Sequence, residues 1–409
     1  MDSQLSLYEK AVLELIKIGI CTSKNDFDFS LISAEDWRKI MKESKVQAVS
    51  LMCFNATEKN KQYIPKDIFS KWFNSTAKGL IKNSFVLKSQ EQLIEILNEN
   101  NLSYIILKGY ASASYYPDFE KREFGDVDFL ILPSQQEEVE KALVGAGYSK
   151  ELENHDCHRV FRKKYEHLEM HFQVSGIPDG IYGEYFKEFL DGAADKFFVN
   201  NDPVFHNPVH EIHAVIILLH IIHHMLGEGI GLRHLCDWAC FVNKTYNEPF
   251  WDETLLPLLE KTGTLKFVSA LTKTCAVYLG TVCPNWAEDI SDDLCAEIIK
   301  DIFSSGNFGR KNKIRSQSGI LVSRHGKGGT KDSKFKNQMY VLDKSIYSKY
   351  PLVKKWKILY PFVLIYRVFR YLFLMLLGKR TSIIKSNSYA NERKAIYSQF
   401  ELYEKRRNK

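Results

Sequence analysis

The feature that most constrains this chain is a pair of short apolar strands punctuated by glycine and by two carboxylates. Ser103-Tyr-Ile-Ile-Leu-Lys108 reads as a strand stopped by Gly109. Sixteen residues beyond that glycine comes Gly125-Asp126-Val127-Asp128-Phe129-Leu130-Ile131-Leu132, closed by Pro133. Alternation along a strand puts Asp126 and Asp128 on one face and Val127 and Phe129 on the other. Two carboxylates so placed can hold a hard divalent cation jointly, since Mg²⁺ is usually bound by one or two carboxylates together with substrate phosphates. A glycine ending the strand before them lets backbone N–H groups come close to a phosphate. A solvated strand with an acidic rim is the alternative.

The surroundings make this a compact unit. A short helix from Ala111 to Tyr115, a helix from Gln135 to Ala146 ended by Gly147, and strands at Cys157–Arg162 and Glu166–Val174 complete a β-α-β-α-β-β order. The chain on either side is helical in pattern. Before the unit, Leu5, Val12, Leu13, Leu15 and Ile16 line one helix, Ser33 caps a second, and a long apolar pattern follows Pro65. After it, helices are predicted over 208–226, 231–244, 249–262, 264–280 and 288–304. The expected fold class is therefore α+β. It comprises a helical region 1–100, an α/β unit 101–205, a helical domain 206–304 that completes a cleft, and a basic linker and helical tail 305–409.

Charge is unevenly spread. The 409 residues carry a formal +6 at pH 7, yet Gly306–Lys409 holds 25 Lys/Arg against 5 Asp/Glu and the remainder 31 against 45. Such a tail either meets an anionic partner, whether nucleic acid or a membrane surface, or packs back on the acidic body; a solvated basic surface with no partner is the alternative. At 26% charged and 45% hydrophobic the chain is neither disordered nor fibrous in composition. Its eight cysteines form no CxxC pair, and MDSQLSLYEK lacks the basic start and apolar run of a secretory leader, so reduced thiols in a cytosolic protein are expected.

Glycine turn, short helix and an hDhDh strand together resemble the nucleotidyltransferase superfamily of DNA polymerase β and the aminoglycoside nucleotidyltransferases. More narrowly, Leu107-Lys-Gly, Tyr116-Pro117 and Arg122-Glu-Phe-Gly-Asp-Val-Asp-Phe-Leu-Ile131 resemble the bacterial uncharacterised nucleotidyltransferase family, over residues 103–175 and more weakly to about 280. The resemblance implies a nucleotidyltransferase-type mixed sheet and Mg²⁺ or Mn²⁺ held by Asp126 and Asp128. It further implies a third carboxylate on a later strand, the place that Glu169 takes in His167-Leu-Glu169-Met-His171. The substrates implied are an NTP and an acceptor that sequence does not identify. Lys108, Gly109, Arg122 and Gly125 would meet the phosphates. One departure is the absence of the Gly-Ser pair usual at the phosphate turn: here Lys108-Gly109 precedes Tyr110.

Downstream, His213, His220 and His224 share a helical face, followed by Arg233 and Asp237. Packed or hydrogen-bonded histidines are expected in preference to zinc. The resemblance places His220, Arg233 and Asp237, with His171, on the acceptor side of the cleft; an Arg233–Asp237 brace at i,i+4 is the alternative. Leu359–Leu377 is apolar, but Arg367 and Arg370 near its middle oppose a transmembrane span. A buried amphipathic helix is expected, with an interfacial helix at a membrane next. The leading function is a Mg²⁺-dependent nucleotidyltransferase. A catalytically silent nucleotide-binding scaffold and an RNA-modifying transferase are the competitors.

Overall fold

The computed structural model describes residues 5–24, 26–151, 157–312, 314–315, 342–343, 346–347, 349–377 and 383–403. The glycine-rich run Arg324–Gly329 and most of the expected linker lie outside them.

Local sequence explains where the first helices begin. Ser33 Oγ accepts from the Asp36 N–H at 3.1 Å, capping α2 (Ala34–Val46) as expected, with Glu35 and Asp36 favourably placed at the positive end of its dipole. α2 packs with α1 (Leu7–Gly19) and α3 (Ser50–Ala56). The apolar pattern after Pro65 becomes a single 34-residue helix, α4 (Lys66–Glu99), which passes behind the α/β unit.

That unit is a five-stranded mixed sheet in the order β1-β2-β5-β4-β3. β1 (Tyr104–Ile106) runs antiparallel to β2 (Val127–Ile131), β2 parallel to β5 (Glu166–His171), and β5 antiparallel to β4 (His158–Lys163). The two-residue edge strand β3 (Ser149–Lys150) was not expected. Period-2 alternation gives the sheet two different faces. Val127, Phe129 and Ile131 of β2 and Leu168 and Met170 of β5 point to one side. There they bury against Leu93 and Leu97 of α4 and Val139 and Leu143 of α6 (Gln136–Gly145). Asp128, Glu169 and His171 point to the other, toward the helices that follow residue 208.

These helices are centred on α9 (His210–Leu226), in which twelve of seventeen residues are buried, nearly all of them Ile, Leu, Val, Ala or Met, and their core is continuous with that of α1–α3. A helix apolar on every side must lie inside a core. It is flanked by α10 (Leu232–Thr245), and α12 (Leu265–Leu279) and α14 (Asp292–Ser305) follow in the next layer. The region between sheet and α9 also contains a helix, Ile181–Gly192, and a small two-stranded ribbon, Asn200–Asp202 with Asn207–Pro208, neither of them expected from sequence. The ribbon is anchored to β1 by a bond from the Ile106 N–H to the His206 carbonyl.

Part of the basic tail returns to the body. In the helix Ile383–Ser398, Arg393 Nη2 donates to the carbonyls of Met225, Leu226 and Gly227 at 2.8–3.2 Å and so caps the C-terminal end of α9. Arg315, fully buried, makes a bidentate pair with Asp301 at 2.6 Å and also donates to the Tyr397 hydroxyl. The helix Tyr360–Leu376 behaves differently: none of its residues is buried. This overturns the expectation of a buried amphipathic helix. The sequence period fixed an apolar stripe, but no other described element covers it.

Candidate active site

The site begins at a turn only glycine adopts readily. Gly109 has φ +66° and ψ −112°, and a Cβ there would meet the Asp126 carbonyl at 3.4 Å. The turn folds the end of β1 back so that Lys108 lies over the carboxylate face of β2. Gly125 has open space above it and no positive φ, so its backbone does not itself demand glycine.

The loop leading into β2 is held from three sides. Asn83 of α4 donates to the Arg122 carbonyl at 2.8 Å and accepts from the Phe124 N–H at 3.0 Å, and Lys82 donates to the Phe124 carbonyl. Glu123 accepts from the Ser50 and Leu51 N–H groups, capping α3 with a carboxylate. Arg122 and Asp237, which the sequence placed on the phosphate and acceptor sides respectively, meet in a buried bidentate pair. Arg122 Nε and Nη2 each donate to an Asp237 oxygen at 2.7 Å, and the Tyr116 hydroxyl donates to the same carboxylate at 2.7 Å. Their charges neutralise each other and join the β2 loop to α10. The i,i+4 brace between Arg233 and Asp237 is not what forms. Arg233 instead donates to the Glu123 carbonyl at 3.2 Å.

Parallel pairing of β2 with β5 places Asp128 directly beside Glu169. Lys108 Nζ stands 2.9 Å from Asp128 Oδ1, and the His171 Nε2–H donates to the same oxygen at 3.1 Å. His171 also lies 3.7 Å from Glu169, while His167 sits between Glu169 at 3.8 Å and Asp126 at 4.0 Å. Burial would raise Asp128, but Lys108 and His171 outweigh it and hold it well below the usual carboxylate range. Burial likewise opposes the charged form of His171, yet Asp128, Cys157 and Glu169 push its pKa up to about 10. Glu169 is lowered because His171 and Lys108 overcome burial and the repulsion of Asp128. Asp126 is the exception. Burial, then Asp128 and Glu169, push it up to about 6, because Lys108 and His167 compensate it too weakly.

An anionic rim short of positive charge is what a divalent cation would relieve. The ligand atoms of Asp126, His167 and Glu169, and those of Asp128, Glu169 and His171, fall within 4.8 Å of one another. The carboxylates of these groups are hard oxygen donors of the kind that suits Mg²⁺ or Mn²⁺, whereas His171 is engaged as a donor to Asp128. Among the described residues, no such group lies on α9. There the histidines do other work. The Tyr115 hydroxyl donates to His213 Nδ1 at 2.7 Å and His213 Nε2–H donates to the Leu107 carbonyl, while burial lowers its pKa to about 3. His220 Nδ1 accepts from Lys108 at 3.4 Å, and burial and then that ammonium drive its pKa far down.

Between the carboxylates and the helices that face them lies a cavity of about 330 Å³. Asp126, Asp128 and Glu169 form one wall. Lys82, His220, His224, Arg233, His234 and Arg310 form the other. The rings of His220 and His234 stack at 5.3 Å, and Phe308 covers His224 and His234 from a backbone with φ +54°, a conformation that a bulky side chain rarely adopts. Three buried polar atoms among the lining residues have no hydrogen-bond partner: Arg233 Nε, His234 Nε2 and Asn307 Oδ1. Asn307, Phe308 and Arg310 escaped the sequence reading, and His234, in the run Gly231–Trp238, had no role in it. The only signal for the first three was the Gly306-Asn-Phe-Gly309 turn, where both glycines take positive φ.

No curated protein and no solved structure matches the chain. A family model described as uncharacterised nucleotidyltransferase matches residues 33–280, from the Ser33 cap of α2 to Gly280 just beyond α12. That stretch is more than half of the sequence and contains the mixed sheet, the three carboxylates and the histidine-bearing helix, and on that ground the chain belongs to the uncharacterised nucleotidyltransferase family.

Proposed function

We propose that this protein moves a nucleoside monophosphate from an NTP to the hydroxyl or phosphate of an acceptor, with Mg²⁺ or Mn²⁺ held by Asp126, Asp128 and Glu169. The observation that carries the reading is the confrontation of three carboxylates on adjacent parallel strands with a cationic helical wall across one cavity. A bound divalent cation supplies neutralisation of charge that builds on the α-phosphoryl group.

The chain's own groups do the rest. Lys108 and His171 keep Asp128 ionised and fixed in place. Arg233, whose Nε has no partner, faces the cavity with Arg310 and Lys82, and these cations take the place of the missing Gly-Ser turn in binding the triphosphate. Glu169, ionised beside His171, accepts the proton of the attacking hydroxyl or completes a second metal position. Arg122 and Asp237 act as positioning residues that set the β2 loop against α10.

A silent nucleotide-binding reading has one observation in its favour. The Lys108 ammonium already occupies one side of Asp128, at 2.9 Å, where it could stand in for a metal charge.

Arg233 separates the triphosphate role from a structural one. Arg233→Met keeps the stem length and removes the charge. Burial and Arg122 already lower the Arg233 pKa, and the variant gives up the bond to the Glu123 carbonyl, so a loss of about 1 kcal/mol in stability is expected. Affinity for an NTP with Mg²⁺, measured by calorimetry, is expected to fall about 10- to 100-fold, the worth of a charged hydrogen bond. Unchanged affinity would move the triphosphate elsewhere.

A further inference from the structure

We infer that the helix Tyr360–Leu376 is a docking element that lies in the plane of an anionic lipid surface, with its apolar stripe in the acyl boundary. Phe362, Ile365, Tyr366, Phe369, Leu372, Phe373 and Leu376 recur at spacings of three and four and so share one face. Each is more than 40% exposed, Phe362 at 69% and Phe369 at 68%. The stretch Lys357–Leu376 is apolar and long enough to cross a bilayer, and none of it is buried. So large a contiguous apolar face marks an interaction surface on an otherwise soluble body.

Charge selects the occupant. From Lys344 to Lys385 the sequence has ten Lys/Arg and no Asp or Glu. A second copy paired through the same helix would bring like charge against like. The stretch Ser316–Tyr340 of the same chain carries five Lys/Arg against one Asp, so it too is poorly matched. Anionic headgroups match both parts of the pattern. They attract the cationic flank, and the acyl boundary takes the stripe.

The arginines choose between lying on the membrane and crossing it. At 100° per residue, Arg367 falls on the side of the helix away from the stripe and Arg370 on its flank. In a span both would sit near the hydrocarbon midplane, where a guanidinium is costly. In an in-plane helix Arg370 reaches the headgroups from the flank and Arg367 points away from the bilayer, so neither is placed in hydrocarbon. Trp356, exposed at the N-terminal end, has the amphipathic ring that settles at such interfaces, while the Tyr360 hydroxyl is taken by Asp343.

The test is flotation of the full-length protein with vesicles of phosphatidylcholine alone and of phosphatidylcholine mixed with phosphatidylglycerol. The protein should float with the mixed vesicles, less with the neutral ones, and less as salt is raised. The triple variant Phe362→Ser, Phe369→Ser, Phe373→Ser should lose about tenfold or more of that binding. Its melting temperature should hold, because none of the three rings is buried. Equal flotation of variant and wild type, or no flotation with either vesicle, overturns the inference. Resistance of the vesicle-bound protein to alkaline carbonate extraction would overturn the in-plane placement in favour of a span. Concentration-dependent dimers lost in the triple variant, without vesicle binding, would identify a second copy as the occupant and overturn it too. None of these outcomes touches nucleotide binding, so the two proposals stand or fall separately.

Discussion

Glu169→Gln is expected to lower turnover by roughly two to four orders of magnitude, the usual cost of losing a general base, while nucleotide affinity changes little. The substitution keeps shape and hydrogen-bonding capacity but removes the charge and the basic lone pairs. Asp126 and Asp128 remain to hold the nucleotide's cation, so binding survives. His171 lies 3.7 Å from Glu169 and 3.1 Å from Asp128, so it keeps its stronger partner in the variant and the strand should stay in register. The check is single-turnover and steady-state kinetics with an acceptor that supports the reaction. A variant as fast as wild type would remove Glu169 from the chemistry. A loss confined to KM would make it a binding residue instead.

The second large effect concerns stability. Asp237→Ala strips the partner from Arg122, which is 5% exposed, and leaves the Tyr116 hydroxyl without its acceptor. Breaking a buried pair from one side costs about 3–5 kcal/mol, because an uncompensated charge stays inside. The melting transition should fall by several degrees or more. Removing both partners at once, as in Arg122→Met with Asp237→Leu, should recover the part due to the stranded charge, while the Tyr116 hydroxyl still lacks its acceptor. If Asp237→Ala melts like wild type, the pair is not the joint between the β2 loop and α10. If the double variant is as unstable as the single one, packing rather than charge holds that joint.

Sequence made the strand elements and the carboxylates legible because their signals are local. Alternation over Asp126–Ile131 and over His167–His171 fixes which side chains share a face, and both faces are as expected in the structure. Ser33 is a cap because its hydroxyl reaches only three residues on. What escaped is non-local. Arg122 and Asp237 are 115 residues apart, and nothing in either neighbourhood favours that pairing over the closer Arg233. Asn307, Phe308 and Arg310 reach the cavity only because α14 ends beside α10, which no pattern in their own segment encodes. Strand β3 and the ribbon at 200–208 are too short to show a period. The apolar stripe of Tyr360–Leu376 was readable as a stripe, but periodicity does not say what covers it.

The central claim is that the β2–β5 carboxylates bind a nucleotide through a divalent cation. Asp126 is the residue to change: Asp128 is buried against Lys108 and His171, so its loss would also strand two buried cations and confuse binding with unfolding. Asp126 lies at the rim, where among the described residues its ion-pair partner is His167 at 4.0 Å. The most direct measurement is calorimetric titration of wild type and Asp126→Asn with NTP, with and without Mg²⁺ or Mn²⁺, each variant first shown to melt like wild type. The account predicts that wild type binds NTP only with the cation present and that Asp126→Asn loses this cation-dependent binding. NTP binding of equal strength without any divalent cation, unaltered in Asp126→Asn, would contradict it and leave Lys108 as the charge that the fold itself supplies.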